Sequence, residues 1–151
     1  MVKAGQATPD RPTMPPDDVC ELRLTLIAEE LQELAAAFGY FLYFEDDSHE
    51  QGEPKLRLLK RPFLKPSLRD AYDATLDIEV VTIGTGVAIG TELQPGWDEV
   101  HRSNMSKVID GHRRADGKWV KGPSYAPAVL QPIIDAQIEA AEERDKQQAL
   151  V

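Results

Sequence analysis

Glu29, Glu30 and Glu33 stand as E-E-x-x-E in one helix-like stretch, and Asp70, Asp73 and Asp77 stand three and four apart in another. At 100° per residue the three glutamates span about 100° of a helix. Leu26 and Ala37 continue their row, so the acids lie beside an apolar stripe rather than opposite it. The three aspartates share one helical face. Asp77 runs directly into Ile78, Val80, Val81 and Ile83, where a carboxylate is costly without a positive partner. Taken singly, the glutamates also read as a solvated helix flank, and the aspartates as partners for Arg or Lys. Taken together, two such helices can bring four or five carboxylates to one point. That all-oxygen donor set suits a hard cation such as Mg²⁺ or Mn²⁺.

A positive set lies downstream. Between residues 101 and 122, Arg102, Lys107, Arg113, Arg114, Lys118 and Lys121 face only Asp110 and Asp116. Asn104, Ser106 and Gly111 are interspersed. Such a loop either balances the acidic helices or holds phosphate oxygens through cations and backbone N–H groups. Acidic helices with a bound cation, plus a basic loop, point to a phosphate-ester or pyrophosphate substrate and metal-assisted hydrolysis. Trp97, Trp119 and Tyr125 are candidates for stacking on a base, with core packing as the other role for Trp97. No G-x-x-x-x-G-K-[ST] is present, which disfavours a P-loop NTPase. G-x-S-x-G is also missing, and the lone Cys20 falls on a core stripe, which disfavours nucleophilic acyl transfer. His49, His101 and His112 form no triad pattern.

The composition narrows the classes further. In 151 residues, Lys and Arg number 17 and Asp and Glu 26, a formal charge of −9. That disfavours a general nucleic-acid binder. One cysteine excludes a disulfide framework and a Cys-based zinc cluster. No apolar run reaches the ~18 residues of a membrane span, and the first residues lack a signal-peptide pattern. The expectation is a cytoplasmic, acidic, single-domain protein.

These residues need helices to position them. Residues 1–16 are rich in proline and read as an extended arm or disordered leader. Asp17, Asp18 and Glu21 favour a helix start. Cys20, Leu24, Ile27, Leu31, Leu34 and Phe38 then follow at helical spacing. Gly39 is a natural end, although the aromatic run Tyr40 to Phe44 offers an extension. Residues 45–66 read as a loop insert, with six cations and no acid between Lys55 and Arg69. A second helix begins near Ser67. Its Val, Thr and Ile content also suits a strand, but the aspartate ladder favours a helix buried on all sides, with glycines permitting close approach. Gln94-Pro95-Gly96 reads as a turn before a short helix, Trp97 to about Lys107. A polar loop over 108–126 and a last helix after Pro127 follow. Residues 17–140 form the domain, and 141–151 a polar tail.

Read in order, Glu29-Glu30-x-x-Glu33, Asp73-x-x-x-Asp77, His101-Arg102-Ser103-Asn104-Met105-Ser106-Lys107 and Arg114-Ala115-Asp116-Gly117-Lys118 resemble the MazG-like all-α nucleoside triphosphate pyrophosphohydrolases. The small bacterial and phage members are the nearest in look. The resemblance covers roughly residues 11–134. It implies an all-α fold, a four- to five-helix bundle assembled as a homo-dimer or homo-tetramer. It implies cleavage of a (d)NTP between the α and β phosphates to the monophosphate and pyrophosphate, with two or three Mg²⁺ per site and Mn²⁺ as substitute. Glu29, Glu30 and Glu33 match the family's metal ligands and catalytic acids, and Asp77 the acid of its second helix. Asn104 and Lys107 match its substrate loop. Arg114 and Lys118, with Lys121 and Tyr125, complete the expected substrate contacts. One departure is Ala74, three residues before Asp77, where many relatives carry an acid; Asp73, four before Asp77 and on the same face as it, can substitute. The resemblance leaves the base open, with dGTP slightly ahead of dUTP and dCTP. A phosphoribosyl-ATP hydrolase shares the fold. A non-catalytic helical interaction module is the alternative from another class.

Overall fold

The structure is a computed structural model that describes residues 8–45 and 55–150. It is mostly helical, with four helices and four short strands among those residues. The chain divides into two compact units. One is Pro15–Thr85, and the other is the described part of Met1–Met14 with Gly86–Val151.

In Pro15–Thr85 the first element is helix α1, Asp17–Ala37, with Asp17 and Asp18 in its first turn. Those acids offset the partial positive charge of the exposed N–H groups. The helix ends where the Phe38 N–H donates to the Leu34 carbonyl and the Gly39 N–H to the Ala36 carbonyl. Gly39 has φ +80°, a conformation in which a side chain collides with its own backbone. A Cβ there would also lie 3.2 Å from the Leu64 carbonyl oxygen. Gly39→Val is expected to destabilise the protein by roughly 2 kcal/mol, read as a lower urea midpoint with an unchanged slope.

The turn at Gly39 sends the chain into strand β1, Tyr40–Glu45, paired antiparallel with β2, Lys55–Lys60, in the register Tyr40↔Lys60 to Glu45↔Lys55. This corrects two expectations. The aromatic run does not extend α1, and the 45–66 insert contains the return strand of a hairpin, Lys55–Lys60. Aromatic residues fit a pleated surface better than a helix, and Gly39 had already ended the helix. The acidic stretch expected as loop, residues 46–54, lies outside the described residues. The Arg61 N–H donates to the Gly39 carbonyl at 2.9 Å, and the Ser67 N–H to the Ala37 carbonyl at 2.9 Å. The hairpin's return is thereby tied to the end of α1.

Helix α2 covers Leu68–Ala88, so the helical reading of the Val/Thr/Ile segment holds. Ser67 Oγ accepts the Asp70 N–H at 3.2 Å, a side-chain cap on the first turn. The helix is not buried on all sides, as its apolar composition had suggested. Ala71 and Ala74 are buried, yet Val80 is 57 % and Ile83 47 % exposed. The α1 stripe is also incompletely covered, with Leu24 70 % exposed. Among the described residues the fully buried apolar side chains are all alanines. No single helix among the described residues is long and apolar enough to cross a membrane.

In the other unit, α3 spans Leu93–Ser106 and α4 Gln131–Gln148. The expected turn at Gln94-Pro95-Gly96 is the first turn of α3. Proline is tolerated there because first-turn N–H groups have no intrahelical partner; Pro132 does the same in α4. Residues 141–148, expected as tail, continue α4. The polar loop contains a small hairpin of β3, His112–Arg113, and β4, Trp119–Val120. Gly86 is buried and a Cβ on it would meet Leu93, a close approach of the kind expected from glycine. The proline arm is held down. Its Thr13 N–H donates to the Ile89 carbonyl, and Arg11 pairs with Asp145.

Candidate functional site

Two groups of the expected residues gather, one in each unit. The first is acidic. Glu30 on α1 is half-buried, and its carboxyl is held above the ordinary glutamate range. Loss of water around it comes first, then the negative charges of Glu33, Asp77, Glu29 and Asp73. All five expected carboxylates therefore share one electrostatic neighbourhood across α1 and α2. Asp70 turns elsewhere and pairs with Arg69 at 3.1 Å. Among the described residues no three His, Cys, Asp or Glu side chains are drawn together as a ligand set. Like charges repel at close range. The acids offer oxygen donors only, the kind that suits Mg²⁺ or Mn²⁺.

Glu29 and Glu33 also line a cleft of about 340 Å³ whose facing wall is the start of the β1–β2 hairpin. Gln32 and Ala36 continue the α1 wall, while Tyr40, Phe41 and Arg61 come from the hairpin side. This cleft was not legible in the sequence, because the hairpin read as a loop.

The second group is basic and lies in the other unit. Lys107 Nζ donates to Asn104 Oδ1 at 2.6 Å, one helical turn apart at the end of α3. Lys121 Nζ lies 4.1 Å from the centre of the Tyr125 ring and Lys107 Nζ 5.9 Å from it. The nearness of Lys121 comes first among the causes that pull the Tyr125 phenol below its usual range, with Ser103 and the charges of both lysines after it. Four of the expected substrate contacts, Asn104, Lys107, Lys121 and Tyr125, are thus brought together. Arg114 and Lys118 sit in the β3–β4 turn. The Arg114 N–H donates to the Lys118 carbonyl, and the Arg114 guanidinium pairs with Asp116 at 3.1 Å.

Other residues of the same segment do positioning work that their spacing did not disclose. Ser106 is buried; its Oγ accepts the Ala126 N–H at 3.0 Å and holds the chain beside Tyr125. Asp110 accepts the Ser124 N–H at 3.0 Å and the Ser124 hydroxyl at 2.8 Å. Arg102 is bidentate on Glu99, and Glu99 accepts the Val129 N–H at 2.9 Å. Arg102 and that N–H hold the Glu99 carboxyl down at about 2. A lowered carboxyl contributes stability that is full above the ordinary glutamate range and lost as pH falls toward 2. Glu99→Gln is expected to flatten acid unfolding over that window, in a series of urea titrations from pH 5 to about 2.

Neither a protein-family model nor a curated protein matches the sequence of this chain.

Proposed function

We propose that the protein is a metal-dependent nucleoside triphosphate pyrophosphohydrolase of the MazG-like kind, with dGTP as the first substrate to test and dUTP and dCTP next. The observation that carries the reading is the shared field of five carboxylates, Glu29, Glu30, Glu33, Asp73 and Asp77, centred on Glu30. The negative charges around Glu30 raise the cost of ionising it, and a divalent cation bound there would relieve that cost.

In this reading Glu29, Glu30, Glu33, Asp73 and Asp77 hold two or three Mg²⁺. When bound, Mg²⁺ neutralises phosphate charge and makes a nucleophile of water near neutral pH. Water attacks the α-phosphorus, the bond to the bridging oxygen breaks, and pyrophosphate leaves with that oxygen. A glutamate oxygen of the trio accepts the proton. The resemblance assigns Lys107, Lys121, Arg114 and Lys118 to phosphate oxygens, and charge-assisted contacts of that kind are the strong ones. Asn104 keeps Lys107 in place. Ser106 and Asp110 position the chain that carries Tyr125.

The uncovered apolar residues of α1 and α2, Leu24, Val80 and Ile83 among them, support an oligomer. Burying such side chains against a second copy is worth about 25 cal/mol per Å² of apolar surface. We place the protein as a homo-dimer or homo-tetramer whose helices form the bundle between copies.

Release of pyrophosphate from a panel of NTPs and dNTPs, with Mg²⁺ or Mn²⁺, tests the reading. One preferred nucleotide giving monophosphate plus pyrophosphate supports it. Diphosphate plus phosphate overturns the cleavage position. Silence across the panel overturns the enzyme and leaves the carboxylates as a partner-binding surface of a helical module.

A further inference from the structure

We infer that the cleft between α1 and the β1–β2 hairpin is a nucleobase-binding subsite. The inference rests on the nucleotide reading above, because it places the base of the same substrate beside the acids. One wall of the cleft is helical. Glu29, Gln32, Glu33 and Ala36 recur at three- and four-residue spacing and so share a face. The run from Glu29 to Ala36 rises about 10 Å, the scale of a nucleoside, with the Glu29 carboxylate at one end and the small Ala36 at the other.

The opposite wall has the chemistry of a planar aromatic ligand. Phe41 lines the cleft; Tyr43, next to that lining, lies on the same face of β1 with ring centres 6.2 Å apart and planes 15° apart, as residues two apart on a strand do. Phe41 faces Leu59 and Tyr43 faces Arg57 across the hairpin. The Arg61 guanidinium lies 4.7 Å from the centre of the Phe41 ring, and both residues line the cleft. Phe41 remains 44 % exposed. An aromatic ring with a guanidinium beside it is a stacking platform for a base.

The polar groups give the cleft an edge reader. Gln32 offers an amide donor and acceptor, and Arg61 a fork of donors. Gln pairs in two places with the outer edge of adenine, and Arg with that of guanine. The ligand class is therefore a purine, with its phosphates directed toward Glu29 and Glu33. Glycine at position 39 contributes through geometry. Its positive φ turns the chain out of α1 and into β1, which sets the hairpin against the helix wall.

The test is calorimetric titration of the full chain, without metal, by deoxyguanosine, deoxyadenosine, thymidine and deoxycytidine. These nucleosides carry no phosphate, so the readout does not depend on turnover. A purine nucleoside is expected to bind most tightly. Phe41→Ala and Gln32→Ala are each expected to weaken it ~5-fold or more, the scale of a lost base stack. Phe41→Trp restores binding, and Phe41→Leu, which keeps apolar bulk on the strand, does not. Equal binding by wild type and Phe41→Leu overturns the subsite, as does a preference for pyrimidines or binding of an oligonucleotide with nucleosides silent. Pyrophosphate release with no nucleoside binding overturns the subsite and leaves the enzyme standing. Phe41-dependent purine binding without pyrophosphate release does the reverse.

Discussion

Glu30→Ala and Glu33→Ala each lower pyrophosphate release by ~100-fold or more, with helicity unchanged by circular dichroism. Removing a partner that only orients a metal ligand costs 10- to 100-fold, and removing a ligand costs at least as much. Folding should survive because Glu33 is exposed and Glu30 only half-buried, so truncation opens no core cavity. The field around Glu30 adds a second readout. Its carboxyl is pushed up by lost solvation and by the charges of Glu33, Asp77, Glu29 and Asp73. A cation that binds the folded chain raises Tm by linkage. Mn²⁺ is expected to raise Tm in wild type and to do so much less in either variant. Near wild-type turnover in both variants would sink the assignment of these acids.

Lys107→Ala and Lys121→Ala each lower kcat/KM for the triphosphate about 10- to 100-fold. A hydrogen bond from a charged donor is worth about 1.5–3 kcal/mol, and each 1.4 kcal/mol is tenfold. The two lysines converge on the Tyr125 ring from different elements, Lys107 at the end of α3 and Lys121 just after β4. Inorganic tripolyphosphate separates their role from base recognition. Its inhibition constant should rise in parallel with the loss in kcat/KM, while nucleoside affinity stays put. Unchanged kinetics in both variants would leave the basic group as charge balance for an acidic chain.

The helices were largely legible because their signals are local. The stripe from Cys20 to Phe38, the acids at Asp17 and Asp18, and the glycine at 39 each act within a turn or two, and α1 runs where they indicate. The aspartate ladder decided α2 against its strand-like composition, since an i, i+3, i+7 spacing has meaning only on a helix. The β1–β2 hairpin was missed for the opposite reason. Its pairing joins Tyr40–Glu45 to Lys55–Lys60, partners distant in sequence; the first strand is apolar and aromatic up to Phe44, and the alternation of Lys55 to Leu58 breaks at Leu59. The start of α3 was displaced because proline in a first turn looks, letter by letter, like proline in a loop; α4, expected from just after Pro127, begins at Gln131.

The sequence by itself determined the inventory: which acids stand at helical spacing, which cations cluster, and that the acids offer oxygen ligands alone. Spacing along a helix converts directly into a shared face, so this part needed no tertiary information. Only the tertiary structure decided which of those charges feel one another and what stands beside them. It put Asp73 and Asp77 in the field of Glu30 while Asp70 paired with Arg69. It set Lys121 and Lys107 around one tyrosine ring, and Phe41 and Arg61 across a cleft from Glu29 and Glu33. Coulomb and ring contacts fall off over a few ångströms, and distances of that size between remote residues are set by how the chain folds back.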